Sequence, residues 1–452
     1  MNTPPSLGKD ELLGLIPVFD EESLGDKKLR RQADVPRMIV RAYRKAGPLF
    51  RMSLRRREWV VMAGPQANQF VWSHTELWNY PIMFPAFLEE MGPDHLNVLE
   101  GDAHTHKRNM LKPSMDQASA MRHLPTFDFW FKHELARKAG IGPVDLIEFW
   151  AKSIIKANAE SASDESLSDA QIGILEAWEK QLIAGLTLGE ARHAHYSRPE
   201  YVALKSGAMA ILDRILEERL VGAKDRKDRF GDVLQLRRSQ EGGLPERQFL
   251  IDDLYYVILA GAHNTSFLIN WIFLYLYFFP AWRKRVEQEL EAWDGNDLMA
   301  LGKMSNLKAV ILEIQRLRPL IHFTVRHSTQ NFRFEGREVP AGVDVLCANT
   351  CCHFLEEFYD EPFEFRPQRF LDGGRFAPKT NGFFGGGVHI CVGRNYAMIQ
   401  APLAIARMLK YYDVTFGNEP EMRAIVEDIG SILPEAIPAS FRQKAGAAGV
   451  NQ

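Results

Sequence analysis

The chain has 452 residues, a formal net charge of −3 and 46% hydrophobic residues, with 28 Phe and 9 Trp among them. Length alone would suggest about three domains. No Pro/Gly/Ser-rich linker, repeat or low-complexity segment divides the chain, so a single domain over residues 1–452 is expected, with 1–30 and 443–452 peripheral or flexible. The near-neutral charge and the lack of a basic stripe exclude a nucleic-acid partner.

Taken in chain order, the pattern predicts a helix near 34–46, strands around Leu49–Met52 and Trp59–Met62, and a helix near Pro65–Ser73. An irregular aromatic loop, Trp78 to Val98, leads into a helix carrying His104 and Arg108. Helical patterns follow to about 228, interrupted at 189–199, where Gly, His and Pro argue against continuous helix. A long apolar helix is predicted from about 246 to Pro280, then another over 281–294, then one carrying Glu313 and ending at Pro319. Short strands are expected over about 321–350, an irregular meander over 354–390, and an amphipathic stretch from Arg394 to Tyr411. Mostly helix with a small β region is the expected class.

The apolar stretch Leu254 to Phe279 invites a transmembrane reading, since a span needs about 20 mostly apolar residues. Gly261, His263, Asn264, Thr265 and Ser266 interrupt it, so a buried central helix with a polar notch is expected instead. Gly261 costs roughly 1 kcal/mol against Ala in a helix interior, which calls for a ligand plane or a tightly packed neighbour.

Four cysteines occur, Cys347, Cys351, Cys352 and Cys391. The first three have no zinc spacing and are expected to be buried small hydrophobes, which suits a reducing cytosol. The opening MNTPPSLGKDELLGLIP lacks a charged region followed by an apolar one. Neither a secretory signal nor a membrane anchor is therefore expected, and the expected location is cytoplasmic. Cys391 differs from its companions. It follows a glycine-rich run and precedes the amphipathic stretch, where a helix N-terminus stabilises a thiolate. Glycines 385–387 and 393 would let backbone approach a flat ligand.

The run Phe384-Gly-Gly-Gly-Val-His-Ile-Cys-Val-Gly393 closely resembles the haem-binding loop of the cytochrome P450 family. That resemblance implies the cytochrome P450 fold, with haem b between the Thr265 helix and the Cys391 loop and helix. Cys391 is then the axial thiolate of the iron, in a loop that includes Phe384, Gly385 and Gly393. Glu313-Ile-Gln-Arg316 and Phe365-Arg-Pro-Gln-Arg-Phe370 match two further family segments, and imply a structural network of Glu313, Arg316 and Arg369. His104, Arg108, Arg326 and His389 match propionate donors. Gly261-Ala-His-Asn-Thr-Ser266 aligns with the oxygen-activating segment: Thr265 falls on the threonine that orients dioxygen and its proton-donating water. Asn264 stands where a carboxylate is usual, and an amide cannot titrate as an acid, so proton delivery is expected through Thr265, Ser266, His263, water or the substrate.

By the same resemblance the substrate pocket is drawn from Trp78, Tyr80, Phe84, Phe87, Ile258, Leu259, His263, His322, Phe323 and Ile432. The implied reaction is a monooxygenation, placing one atom of O2 into a hydrophobic or amphipathic small molecule. Electrons would come from NAD(P)H through a separate ferredoxin or flavodoxin-type donor, with Lys107, Lys112 and Arg394 as docking charges. Two alternatives remain at this stage, a haem-thiolate isomerase, dehydratase or peroxide-driven enzyme, and a non-catalytic haem or lipophile binder.

Overall fold

The computed structural model describes residues 7–19, 34–54, 57–221, 228–377 and 379–445. Two compact units account for the chain, and each is assembled from separated segments. The first comprises residues up to Pro85, Leu312–Cys391 and Asp428–Ile432; the second comprises Ala86–Ile311, Val392–Glu427 and the remainder.

The first unit holds a four-stranded sheet in the order Leu49–Leu54, Arg57–Ala63, Asp344–Ala348, Thr324–His327. The hairpin 49–63 is local and antiparallel, while Arg57–Ala63 runs parallel to Asp344–Ala348, with Val60 opposite Val345 and Met62 opposite Cys347. A parallel partner demands a long crossover, which is why the sheet waits on residues distant in sequence. Its core gathers Leu49, Val60, Met62, Val71, Trp78, Phe332, Val339 and Val345. Residues 7–19 are no loose tail, because Ile16 is buried in that same cluster and Val18 bridges Arg51. Helix Val35–Ala46 starts on an Asp34 cap, with Asp34 Oδ1 accepting from the Arg37 N–H, and stops at Gly47. Residues 1–6 and 20–30 of the expected peripheral segment and 446–452 of the other lie outside the described residues.

The second unit is helical, organised around Leu146–Ser163. This helix packs on Ala262–Phe278, Leu124–Lys138, Arg247–Ile258 and Asp169–Gly185. It buries Phe149, Trp150, Ile154 and Ile155 on nearly every side, as a helix enclosed by neighbours must. A small sheet, Val144–Asp145, Pro438–Gln443 and Tyr412–Phe416, closes one edge. Gln443 thus belongs to a strand, and the Lys444 ammonium donates to the Leu409 carbonyl at 2.7 Å.

Two element expectations change. The Trp78–Val98 stretch contains a helix, Pro85–Met91, and single helical turns at Pro81–Met83 and Leu96–Val98. The apolar helix predicted from 246 to 280 is two helices, Arg247–Ile258 and Ala262–Phe278, divided at Gly261. Gly261 sits at φ +106°, and a Cβ there would meet nothing within 4 Å. Tight packing against other protein atoms does not explain this glycine. It is present because the break needs a left-handed residue. Together the two pieces are long and apolar enough to cross a membrane, and 78% of their most apolar window is buried inside the protein.

Candidate active site

In the first unit, Cys391 ends a turn-rich meander and its N–H donates to the Phe384 carbonyl at 2.8 Å. It is the exposed cysteine; Cys347, Cys351 and Cys352 are buried. Burial pushes the thiols of Cys347 and Cys352 up to about 12, so they are inert as the sequence suggested. The glycines before Cys391 have a local reason to be glycine. A Cβ at Gly386 would fall 2.2 Å from the Trp72 ring, and one at Gly387 would fall 2.3 Å from the Trp72 carbonyl oxygen. Helix Pro65–Ser73 thus clamps the loop from behind. Gly385 turns at φ +69°, and Phe384 packs edge-on against Phe383. Gly393 caps the Arg394–Tyr411 helix two residues after the thiol.

Arg326 and His389 converge on one ring. The Arg326 guanidinium lies 4.4 Å from the centre of Tyr80, and the His389 imidazole stacks on that ring at 4.0 Å. Tyr80, expected in the substrate pocket, instead links the two expected propionate donors. Trp78 is likewise no pocket residue: 2% exposed, it meets Phe332 edge-on at 5.2 Å within the core. Ile432 is 83% exposed. Phe84 packs partly buried against the Trp78 core, and Phe323 is half-buried. His322 Nδ1 lies 3.0 Å from the Thr350 hydroxyl, and burial together with Arg318 lowers its pKa to about 4.

The Glu313 network forms as expected. Arg316 donates to both Glu313 oxygens at 2.8 Å, and Arg369 Nε donates to Oε1 at 3.3 Å. The backbone N–H of Arg366 adds a further bond at 2.8 Å. Behind it, Arg316 Nη1 donates to the carbonyls of His353 and Pro362 at 2.7 and 2.6 Å.

In the second unit, helix Gly101–Met115 carries His104, buried, and Arg108, half-buried. Burial and the Arg108 charge lower the His104 pKa to about 4, so its ring is neutral at pH 7. Lys107, expected as a docking charge, is 1% exposed. Its ammonium lies 2.5, 2.9 and 2.6 Å from Asp94, Asp252 and Asp253. Three carboxylates outweigh the burial penalty and hold it charged. Lys112 is exposed and Arg394 half-buried.

Thr265 is 6% exposed, its N–H bonded to the Gly261 carbonyl at 2.8 Å. Its hydroxyl makes no hydrogen bond back to the preceding turn, unlike Ser153 and Ser163 in the neighbouring helix, which both bond four residues back. Asn264 is exposed. Ser266 drops out of the expected proton path. Its hydroxyl donates to the Ile147 carbonyl at 2.7 Å and accepts from the Asn270 amide at 3.3 Å, pinning two helices together. Ile258 and Leu259 are wholly buried, and Phe87 stacks on His95 at 4.4 Å. Sequence reasoning missed Glu176 and Glu179. Both are buried on helix Asp169–Gly185 and lie 3.5 and 3.9 Å from His263 Nε2.

A cytochrome P450 family model matches residues 201–437. The chain is 30% identical to cytochrome P450 716A67 of Medicago truncatula over 182 residues, 37% of this chain and 34% of that protein. Longer matches at 24% identity reach cytochrome P450 734A1 of Arabidopsis thaliana, covering 88% of this chain and 79% of that one, and taxane 10-beta-hydroxylase of Taxus cuspidata, covering 85% and 80%. Among solved structures, retinoic acid-bound cyanobacterial CYP120A1 superposes with a TM-score of 0.75 at 21% identity, over 89% of this chain and 93% of that one. With a family model spanning more than half its length and the fold shared, this chain belongs to the cytochrome P450 family, haem-iron monooxygenases that use O2 and electrons from a redox partner.

Proposed function

We propose that the Cys391 thiolate would hold the haem iron and that Thr265 would organise dioxygen and its protons, in an enzyme that hydroxylates a terpenoid-like lipophile with one polar end. The observation that carries the reading is the contrast among cysteines, one exposed thiol on a clamped loop against three buried and protonated ones. Residues around it suit the group. Arg326 Nε is buried without a hydrogen-bond partner, and the adjacent guanidinium face is already held by Tyr80, so the cation is oriented in advance for an anionic propionate. Haem iron, when bound, supplies the activation of O2. Cys391 would donate electron density to it, and Arg108, Arg326 and His389 would hold its carboxylates, with neutral His104 as an N–H donor. The lone Thr265 hydroxyl would hold a water or an oxygen where protons are consumed.

Support for the substrate class comes from relatives named for a taxane, for abscisic acid and for bound retinoic acid, each a lipophile with few polar groups. Phe84 and Phe323, partly buried, remain proposed lining. We assign the electrons to NAD(P)H through a ferredoxin or flavodoxin-type donor, with Lys112 and Arg394 as docking cations, and the enzyme to the cytoplasm. Optical titration of the ferric protein with taxanes, abscisic acid, retinoids, fatty acids and steroids tests the class. A saturable spin-state shift with the first three and none with the others is expected. A shift confined to fatty acids or steroids replaces the proposed class, and Cys391→Ser should abolish the thiolate spectrum.

A further inference from the structure

Monooxygenation sends one atom of O2 into substrate and the other into water, which consumes two electrons and two protons. Those protons must enter a helix that is almost wholly buried, and the amide at Asn264 cannot supply them. The neighbouring helix Asp169–Gly185 brings two carboxyl groups to the same place. Glu179, 1% exposed, accepts the backbone N–H of Gly261 at the helix break. Among the described residues its Oε2 has no hydrogen-bond partner, and it lies 3.9 Å from His263 Nε2, which has none either. The Glu176 backbone favours the protonated ring of His263, and Nε2 has no hydrogen-bond partner among the described residues. Glu176 Oε1 lies 3.5 Å from that nitrogen. Both gaps exceed a direct hydrogen bond by less than about 1 Å and close by a side-chain rotation or one bridging water.

The charge states suit transfer. Burial and the neighbouring Glu176 hold Glu179 protonated, while Tyr255, also buried, faces it. His263 is neutral, its pKa lowered to about 4 by burial and Lys180, with Asp145 opposing. Burial raises Glu176 as well, Lys152 and Lys180 lowering it and Glu148 and Asp145 raising it. An imidazole placed between two carboxyl groups, each within one rotation or one water of it, can pass a proton without stranding a charge.

We infer that Glu176, His263 and Glu179 form a proton relay serving the Gly261–Thr265 segment, in the role the Asn264 amide cannot fill. Glu179 releases its carboxyl proton toward the segment. His263 then takes a proton from Glu176 and gives it to the Glu179 carboxylate, and Glu176 refills from solvent. No electron moves within the relay. The inference rests on Thr265 being where protons are used.

Glu179→Gln is the decisive variant, because its amide oxygen still accepts the Gly261 N–H but holds no transferable proton. In the haem-loaded enzyme, product formed per electron should fall several-fold, hydrogen peroxide should take up the difference, and the solvent isotope effect on turnover should rise. Independently of turnover, the infrared C=O band of a buried protonated carboxyl should be present in the wild type and missing from the variant. Wild-type coupling in Glu179→Gln, or no such band in the wild type, overturns the relay. Should that variant fail to fold, His263→Phe fills the same space without a lone pair and must show the same loss of coupling; unchanged coupling there overturns the relay equally. Wild-type coupling in Thr265→Ala, with Glu179→Gln impaired, removes the Thr265 assignment and leaves the relay standing.

Discussion

Two buried clusters of ionisable residues use the same side-chain chemistry to opposite ends. Around Glu313, both carboxylate oxygens are taken by Arg316, and Oε1 also accepts from Arg366 and Arg369. The spare guanidinium N–H groups go to carbonyls, and His353 closes the set. Its Nδ1–H donates to the Arg316 carbonyl at 3.0 Å, and its Nε2 accepts the Gly382 N–H at 3.0 Å. Around His263, by contrast, facing oxygen and nitrogen atoms remain without partners. A buried polar set with every lone pair used is rigid. One with atoms left over has somewhere to send a proton.

Breaking the satisfied cluster should cost most. Glu313→Ala strands Arg316 and should lower unfolding free energy by about 3–5 kcal/mol, read by denaturant titration alongside haem retention. A loss under about 1 kcal/mol would mean the pairing carries no structural weight. Gly261→Ala probes the break beside the second cluster. With no protein atom near the added methyl, the left-handed backbone is penalised, by about 1–2 kcal/mol. Ser266→Ala removes the bond to Ile147 and should cost about 1 kcal/mol, with coupling of electrons to product unchanged; impaired coupling would return Ser266 to the proton path.

Stability against pH sharpens the contrast, because His353 and Glu179 shift with opposite signs. His353 falls from 6.5 to about 3, through burial and then the Arg316 charge. Between those values the unfolded chain binds more protons than the native one, so this contribution is complete above pH 6.5 and is lost as pH falls toward 3. Glu179 is raised well above 4.5 by burial. There the native state binds the extra proton, so its contribution is complete below 4.5 and is lost as pH rises through the native value. Denaturant midpoints across pH for wild type, His353→Gln and Glu179→Gln separate the two, each variant losing only its own slope.

The elements with strong local signals were legible in the chain. Pro65 and Ser73 bound their helix where the pattern put them, and the apolar residues around Glu313 announced that its pair with Arg316 was buried. The break at Gly261 was not legible, because hydrophobic periodicity continues across it and only the backbone angle betrays it. Glu176 and Glu179 sit in Leu175-Glu-Ala-Trp-Glu-Lys180, a run that reads as an ordinary solvated face. Their partner His263 lies far along the chain. Lys107 was misread for the same reason, since two of its three carboxylates, Asp252 and Asp253, are distant in sequence. Tyr80 announced an aromatic and no more; its place between Arg326 and His389 depends on three separate segments.

The parallel pairing of Arg57–Ala63 with Asp344–Ala348 also sets a timetable for biosynthesis. Residues 49–63 leave the ribosome well before residue 348, and the sheet of the first unit cannot close until residue 348 has followed them. At about 5–20 residues per second, the opening hairpin spends many seconds with one long edge unsatisfied while the whole helical segment 86–311 is made. A chaperone that shields exposed strand edges should therefore govern yield; truncation before residue 344 should release a chain unable both to complete its sheet and to load its iron, whereas truncation between 348 and Cys391 should spare the sheet and remove only the proposed iron ligand.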